Sequence, residues 1–217
     1  MNHSSFPHLA PTSEAHASPT PQTQDAYADL VSNDLAVQSY QQAQRQASPG
    51  EWSSGLHLGA DQVTWAAGVD TPEPTIRLRM PLGGARTAHR FFRGAIPVPL
   101  ELDNAIAAVE DEVHTAHREL QGLLRPGQSW APWSADPSLR GLATLAGVPP
   151  GPRRVMTIDA MERMFNRLVA VSEGRPAAHE GLPDDPSFAG TLLVLRELMH
   201  HLPFASVTLV DNGSEGG

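Results

Sequence analysis

The chain has 217 residues, no cysteine, 15 basic residues that are all arginine, and a net charge of −9. Without cysteine there is no disulfide framework, thiolate metal site or thiol nucleophile, and without lysine there is no Walker A lysine, Schiff base or Ser–Lys dyad. No apolar run approaches the roughly 20 residues of a membrane-spanning helix, no secretory leader pattern is expected at the N-terminus, and the expected setting is the cytoplasm. Arginine in place of lysine, beside abundant Ala, Pro and Gly, suggests a GC-rich bacterial genome.

Residues 1–24 hold four prolines among Ser, Thr, His and Gln, so this stretch cannot repay its ordering entropy and is expected to be a disordered tail. Residues 25–211 are expected to form one α+β domain, followed by a polar tail at 212–217. From Asp25 to Gln46, Tyr27, Leu30, Val31, Leu35 and Tyr40 recur at mostly helical intervals, which predicts a largely polar helix. Period two then takes over. Leu56 and Leu58, Val63 and Trp65, and Ile76, Leu78 and Met80 predict three antiparallel strands, joined by a turn at Gly59-Ala60-Asp61 and a proline-bearing loop at 71–74.

A long helix over about 99–124 follows, entered through Pro97 and Pro99, because Leu102, Ile106, Val109, Val113, Ala116, Leu120 and Leu123 keep a heptad spacing. Pro126, Gly127, Pro132 and Pro137 break it, and a short helix is expected near 138–146. Thr157 is a suitable N-cap for a helix that stops at Gly174, and Asp185-Pro186 opens another that Pro203 ends. Alternation at Val207 and Leu209 predicts a closing strand. The order of elements points to an antiparallel sheet of three to four strands packed by three or four long helices, with the closing strand joining the meander. No G-x-G-x-x-G motif follows a strand, so a dinucleotide-binding fold is disfavoured.

Two groups of residues could carry chemistry. Between Glu73 and Glu101 there is no acid, while Arg77, Arg79, Arg86, Arg90 and Arg93 all fall there with His89, Phe91, Phe92 and a Gly83-Gly84 corner. Guanidinium forks bind phosphate oxygens bidentately, so Arg77, Arg79, Arg86, His89, Arg90 and Arg93 are candidate anion ligands. The competing account makes Arg77 and Arg79 the wet side of an amphipathic strand. The second group is a stripe on the long helix, Asp103, Glu110, His114 and His117, one position after the heptad residues. With Glu197, His200 and His201 of a later helix, Glu110 and His114 could converge on one divalent metal, since Glu-x-x-His places two ligands on one helical face. The alternative is i, i+4 ion pairing on a solvated surface. A divalent metal is the one cofactor these residues could hold.

Ser129 lacks the glycine frame of a nucleophile elbow, and Asp184-Asp185 reads as helix capping. With no complete catalytic constellation, the expected function is a non-catalytic accessory protein that engages a protein partner or a small anion through a basic loop at 77–93. The alternative is a metal-dependent enzyme using the Glu/His site between two helices. Nucleic acid is disfavoured as a partner by the net charge. The heptad seam could pair two copies as a homodimer, or bury itself within its own domain.

Overall fold

A computed structural model describes residues 35–122 and 129–211. Along the chain these form α1 (residues 35–44), β1 (Trp52–Leu58), β2 (Val63–Val69), β3 (Ile76–Met80), α2 (Gly84–Phe91) and α3 (Pro99–Leu120). The second half contributes β4 (Trp133–Ser134), α4 (Pro137–Leu145), β5 (Arg153–Thr157), α5 (Ile158–Ser172), α6 (Ala177–Glu180), α7 (Pro186–His201) and β6 (Ser206–Val210). The expected tails at 1–24 and 212–217, the first part of the 25–46 helix, and Leu123, Pro126 and Gly127 lie outside the described residues.

The helix ends follow from local chemistry. Thr157 Oγ1 accepts the Ala160 amide at 3.2 Å and Asp185 Oδ1 accepts the Ser187 amide at 2.8 Å, each satisfying a donor that the first turn leaves open. Glu101 reaches back to accept the Val98 amide at 3.2 Å, and Pro99 supplies the preset φ of a first helical position. The heptad seam of α3 is spent inside the chain: Leu102, Val109, Val113, Ala116 and Leu120 are all buried in the main core, to which Ala105 also contributes.

The six strands make one mixed sheet in the order β3-β2-β1-β4-β6-β5. The expected antiparallel sheet of three to four strands is therefore corrected. The β1–β2–β3 meander is antiparallel as read, but β1 pairs parallel with β4, β4 pairs parallel with β6, and β5 closes the far edge antiparallel to β6. The closing strand does not join the meander directly because β4 lies between them. Two residues are too few to show a period, so β4 has no sequence signature. β5 is an edge strand of sequence Arg-Arg-Val-Met-Thr in which only Met156 is buried, which hides its alternation.

Alternation along each strand sends side chains to opposite faces. Leu56, Leu58, Val63, Trp65, Ile76, Leu78 and Met80 all belong to the main core, which α3, α4, α5 and α7 fill from the other side. The opposite face of the meander carries α1. Ala36, Tyr40 and Ala66 form a small second core there, and at Gly55 the helix backbone lies so close that a Cβ would sit 2.1 Å from Ala36 O. Helices thus cover both faces of the sheet.

Candidate functional site

The C-terminal end of β1 delivers His57 and Leu58 beside the start of α4. His57 Nδ1 lies 2.5 Å from Asp136 Oδ1, while Asp136 Oδ2 accepts the Leu58 amide at 2.7 Å and the Ser134 hydroxyl at 3.0 Å. Asp136 is the N-cap residue of α4 but makes no side-chain capping bond, because both its oxygens are committed to β1 and β4. Its side chain is 8% exposed and that of His57 13%, so the pair sits at the edge of the core. A buried carboxylate accepting from Nδ1 fixes the imidazole tautomer and leaves Nε2 as the acceptor.

The surroundings of this pair are set by the meander. His57, Thr64 and Arg79 are cross-strand partners in one row, on the face away from the main core. The turn after β1 is stitched to α2: Gly84 N donates to Gly59 O at 3.3 Å and Arg86 N to Ala60 O at 3.0 Å. Gly83-Gly84 is accordingly not a phosphate-cradling corner. It is the entry to α2, two of whose first-turn amides, those of Gly84 and Arg86, are taken by the hairpin carbonyls, and glycine is required because a Cβ at Gly83 would fall 2.2 Å from Ala60 O.

The basic residues expected in a loop lie instead on a strand and a helix. Arg77 and Arg79 project from β3, and Arg77 pairs with Glu73 at 2.8 Å. Arg86, His89 and Arg90 stand on the exposed side of α2, with Arg90 over the Phe91 ring at 5.0 Å and Arg93 3.6 Å from Glu101. Their spacing of three and four residues puts the α2 group on one helical face. The sheet separates this group from Arg77 and Arg79, so the six candidate anion ligands do not form one site.

The Glu/His stripe fares differently. Glu110, His114 and His201 each offer a ligand atom within 4.8 Å of the others. His200 turns away to Glu162 of α5. Glu197 is 1% exposed, with Arg196 on Oε1 at 2.6 Å and His201 Nε2 3.2 Å from Oε2. Glu162 also accepts from Arg196 Nε at 3.0 Å, so alternating charges link α5, α7 and α3. Asp103 lies near the start of α3, two turns before Glu110.

The chain has the fold of the Ppx/GppA phosphatases. It superposes on a PPX-GPPA enzyme of Aquifex aeolicus with a TM-score of 0.61 at 13% identity, covering 82% of this chain and 60% of that one. An exopolyphosphatase of Cytophaga hutchinsonii matches with a TM-score of 0.57 at 12% identity over 83% and 59%. An exopolyphosphatase-like protein matches at 0.60 and 13% over 88% and 68%. The chain thus spans about 60% of the length of the first of these structures. No protein-family model matches the sequence, and no curated protein is similar to it in sequence.

These likenesses correct the expected function. The solved structures are of phosphatases, exopolyphosphatases and an exopolyphosphatase-like protein, which counts against the reading as a non-catalytic accessory protein binding through 77–93, and that reading is not kept. No helix among the described residues is long and apolar enough to cross a membrane. The residue pair that sequence reasoning missed is His57 with Asp136. They are 79 positions apart, and the one local signal was an Asp-Pro helix start at 136–137.

Proposed function

We propose that the chain is a phosphohydrolase in which His57, held by Asp136, accepts the proton of the attacking water. One observation carries this: the buried carboxylate at Asp136 takes His57 Nδ1 at 2.5 Å and the Leu58 amide at 2.7 Å, an arrangement that orients Nε2 and fixes its tautomer. The fold shared with the Ppx/GppA phosphatases supports phosphate as the group acted on, and the name of the exopolyphosphatase neighbours suggests a phosphoanhydride such as inorganic polyphosphate. Arg79, in the same cross-strand row as His57, would meet the negative charge of such a substrate.

In the step this geometry serves, the water oxygen bonds to phosphorus and its proton passes to His57 Nε2. The bond from phosphorus to the leaving oxygen breaks, and that oxygen keeps the electron pair. Asp136 acts through His57 by stabilising the imidazolium that forms, and is a positioning residue. The cytoplasmic setting expected from the sequence belongs to the same proposal.

The test is release of inorganic phosphate from polyphosphate, pyrophosphate and an aryl phosphate by the full chain. His57→Gln should lower the rate by about 10² to 10⁴, the range a positioned general base contributes. No phosphate release from any of the three by the unmodified chain, or equal rates for His57→Gln and the unmodified chain, would overturn the proposal.

A further inference from the structure

The C-terminal turn of α7 and the second half of α3 bring two imidazoles and a carboxylate to one point. His201 Nε2 lies 3.6 Å from Glu110 Oε1, and the His114 and His201 rings meet edge to face with centroids 4.5 Å apart. All three residues contribute a donor atom within 4.8 Å of the others. Beside them opens a groove of about 740 Å³ whose walls include His114, His117, Arg118 and His201. His117 Nδ1 donates to the His201 carbonyl oxygen, which holds the last turn of α7 against α3.

We infer that Glu110, His114 and His201 form a binding site for a divalent transition-metal ion, zinc foremost. The donor set is two neutral nitrogens and one carboxylate oxygen, the chemistry zinc takes up when it keeps a coordination position open. Bonds of about 2.0–2.2 Å in a tetrahedral site place donors about 3.4 Å apart. The Glu110 to His201 separation of 3.6 Å is already there, and His114, which is exposed, has only to turn its ring inward. An ion pair between His201 and the two nearby carboxylates accounts for one histidine; it leaves unexplained why a second imidazole packs edge to face against the first. Glu197 stays outside the cluster because Arg196 holds its Oε1; its Oε2 lies 3.2 Å from the same His201 Nε2, a contact that the metal would replace. A metal here would cross-link α3 to α7. It would stand about 15 Å along α7 from Thr191 and about 21 Å from Ser187, where that helix meets the start of α2, and its three residues are not used by the phosphohydrolase reading, so this inference does not depend on that reading.

The experiment uses the full chain, stripped with a chelator and dialysed, and titrated with Zn²⁺ against a competing chromophoric chelator. Co²⁺ serves as a second probe whose visible absorption reports coordination geometry. One ion per chain is expected, with four- or five-coordinate cobalt bands. His114→Ala, an exposed change that should leave the circular dichroism spectrum intact, and His201→Ala should each weaken binding by roughly 100-fold or more, beyond the loss that changing a group outside the coordination sphere produces. His200→Ala, whose ring is engaged by Glu162, should leave the affinity within twofold. Absence of saturable binding would overturn the inference. So would binding that survives the His114→Ala/His201→Ala double variant and disappears when the three histidines of residues 1–24, His3, His8 and His16, are replaced.

Discussion

Replacing Asp136 by Asn tests the dyad through two readouts that a merely structural carboxylate would not move together. The side chain is 8% exposed and accepts from Leu58 N, Ser134 Oγ and the His57 ring. Asparagine keeps one oxygen, enough for the Leu58 amide, but turns an NH₂ donor toward either His57 Nδ1 or Ser134. Losing one hydrogen bond to a charged acceptor costs about 1.5–3 kcal/mol, and the carboxamide recovers part of that by donating to a deprotonated Nδ1. The net loss should therefore be about 1–2 kcal/mol in urea unfolding. Asp136→Ala leaves up to three donors without an acceptor and should cost about 3–5 kcal/mol. The catalytic effect is larger than the stability effect. Donation from the new NH₂ forces the proton to Nε2, so the nitrogen meant to accept from water becomes a donor, and phosphate release should fall by about 10² to 10⁴ at a temperature where the variant is fully folded. Nitrogen-15 shifts of the imidazole would report the tautomer directly. A variant that is folded, has the Nε2–H tautomer and retains full activity would refute the role given to His57. An unmodified chain already in the Nε2–H tautomer would refute the geometry behind it.

Three further outcomes follow from packing and charge. A Cβ at Gly84 would fall 2.0 Å from Thr191 Oγ1, and one at Gly190 2.1 Å from Gly84 O, so Gly84→Ala should wedge α2 off α7 and lower stability by about 1–3 kcal/mol in urea unfolding. Gly141, inside α4 with nothing within 4 Å of the new atom, should do the reverse and gain about 0.5–1 kcal/mol as alanine. Glu180 is held below its ordinary carboxylate pKa, first by the hydrogen bond from Arg175, and further by the charges of Arg175 and Arg167 against an opposing effect of burial. A carboxyl whose folded pKa is depressed contributes stability above its unfolded value and loses it as pH falls through the folded one. Glu180→Gln should therefore be less stable than the unmodified chain at neutral pH, with the two melting curves converging as pH drops below about 4.3. A constant difference down to pH 3 would contradict the assigned cause.

Several elements were legible because their causes are local. Thr157 and Asp185 announce helix starts, since a side-chain oxygen need only reach an amide two or three residues on. The heptad stripe of α3 and the alternation of β1 to β3 record which face each element buries: Leu102, Val109, Val113, Ala116 and Leu120 and the seven strand residues are buried as read, while Ile106 is only partly buried and Ala105, off the heptad, is buried. The Glu110, His114 and His201 cluster was partly legible, because helical spacing places Glu110 and His114 one turn apart. Which of Glu197, His200 and His201 would face them was not, since adjacent helix positions point about 100° apart and only the packing of α7 chooses among them.

By itself, then, the sequence determined the absence of cysteine and lysine chemistry, the caps, the meander and the long helix. Tertiary structure decided the rest. The sheet became mixed because two-residue β4 is held between β1 and β6 by parallel pairing, a partnership that no period-two pattern can announce. The basic segment was split because strand β3 and helix α2 carry its arginines to different sides of the sheet. His57 met Asp136 because the β1 end and the α4 start are neighbours only after 79 residues have folded around the core. Contacts at that separation are set by how the layers pack, and the residues that make them carry no mark of each other in the chain.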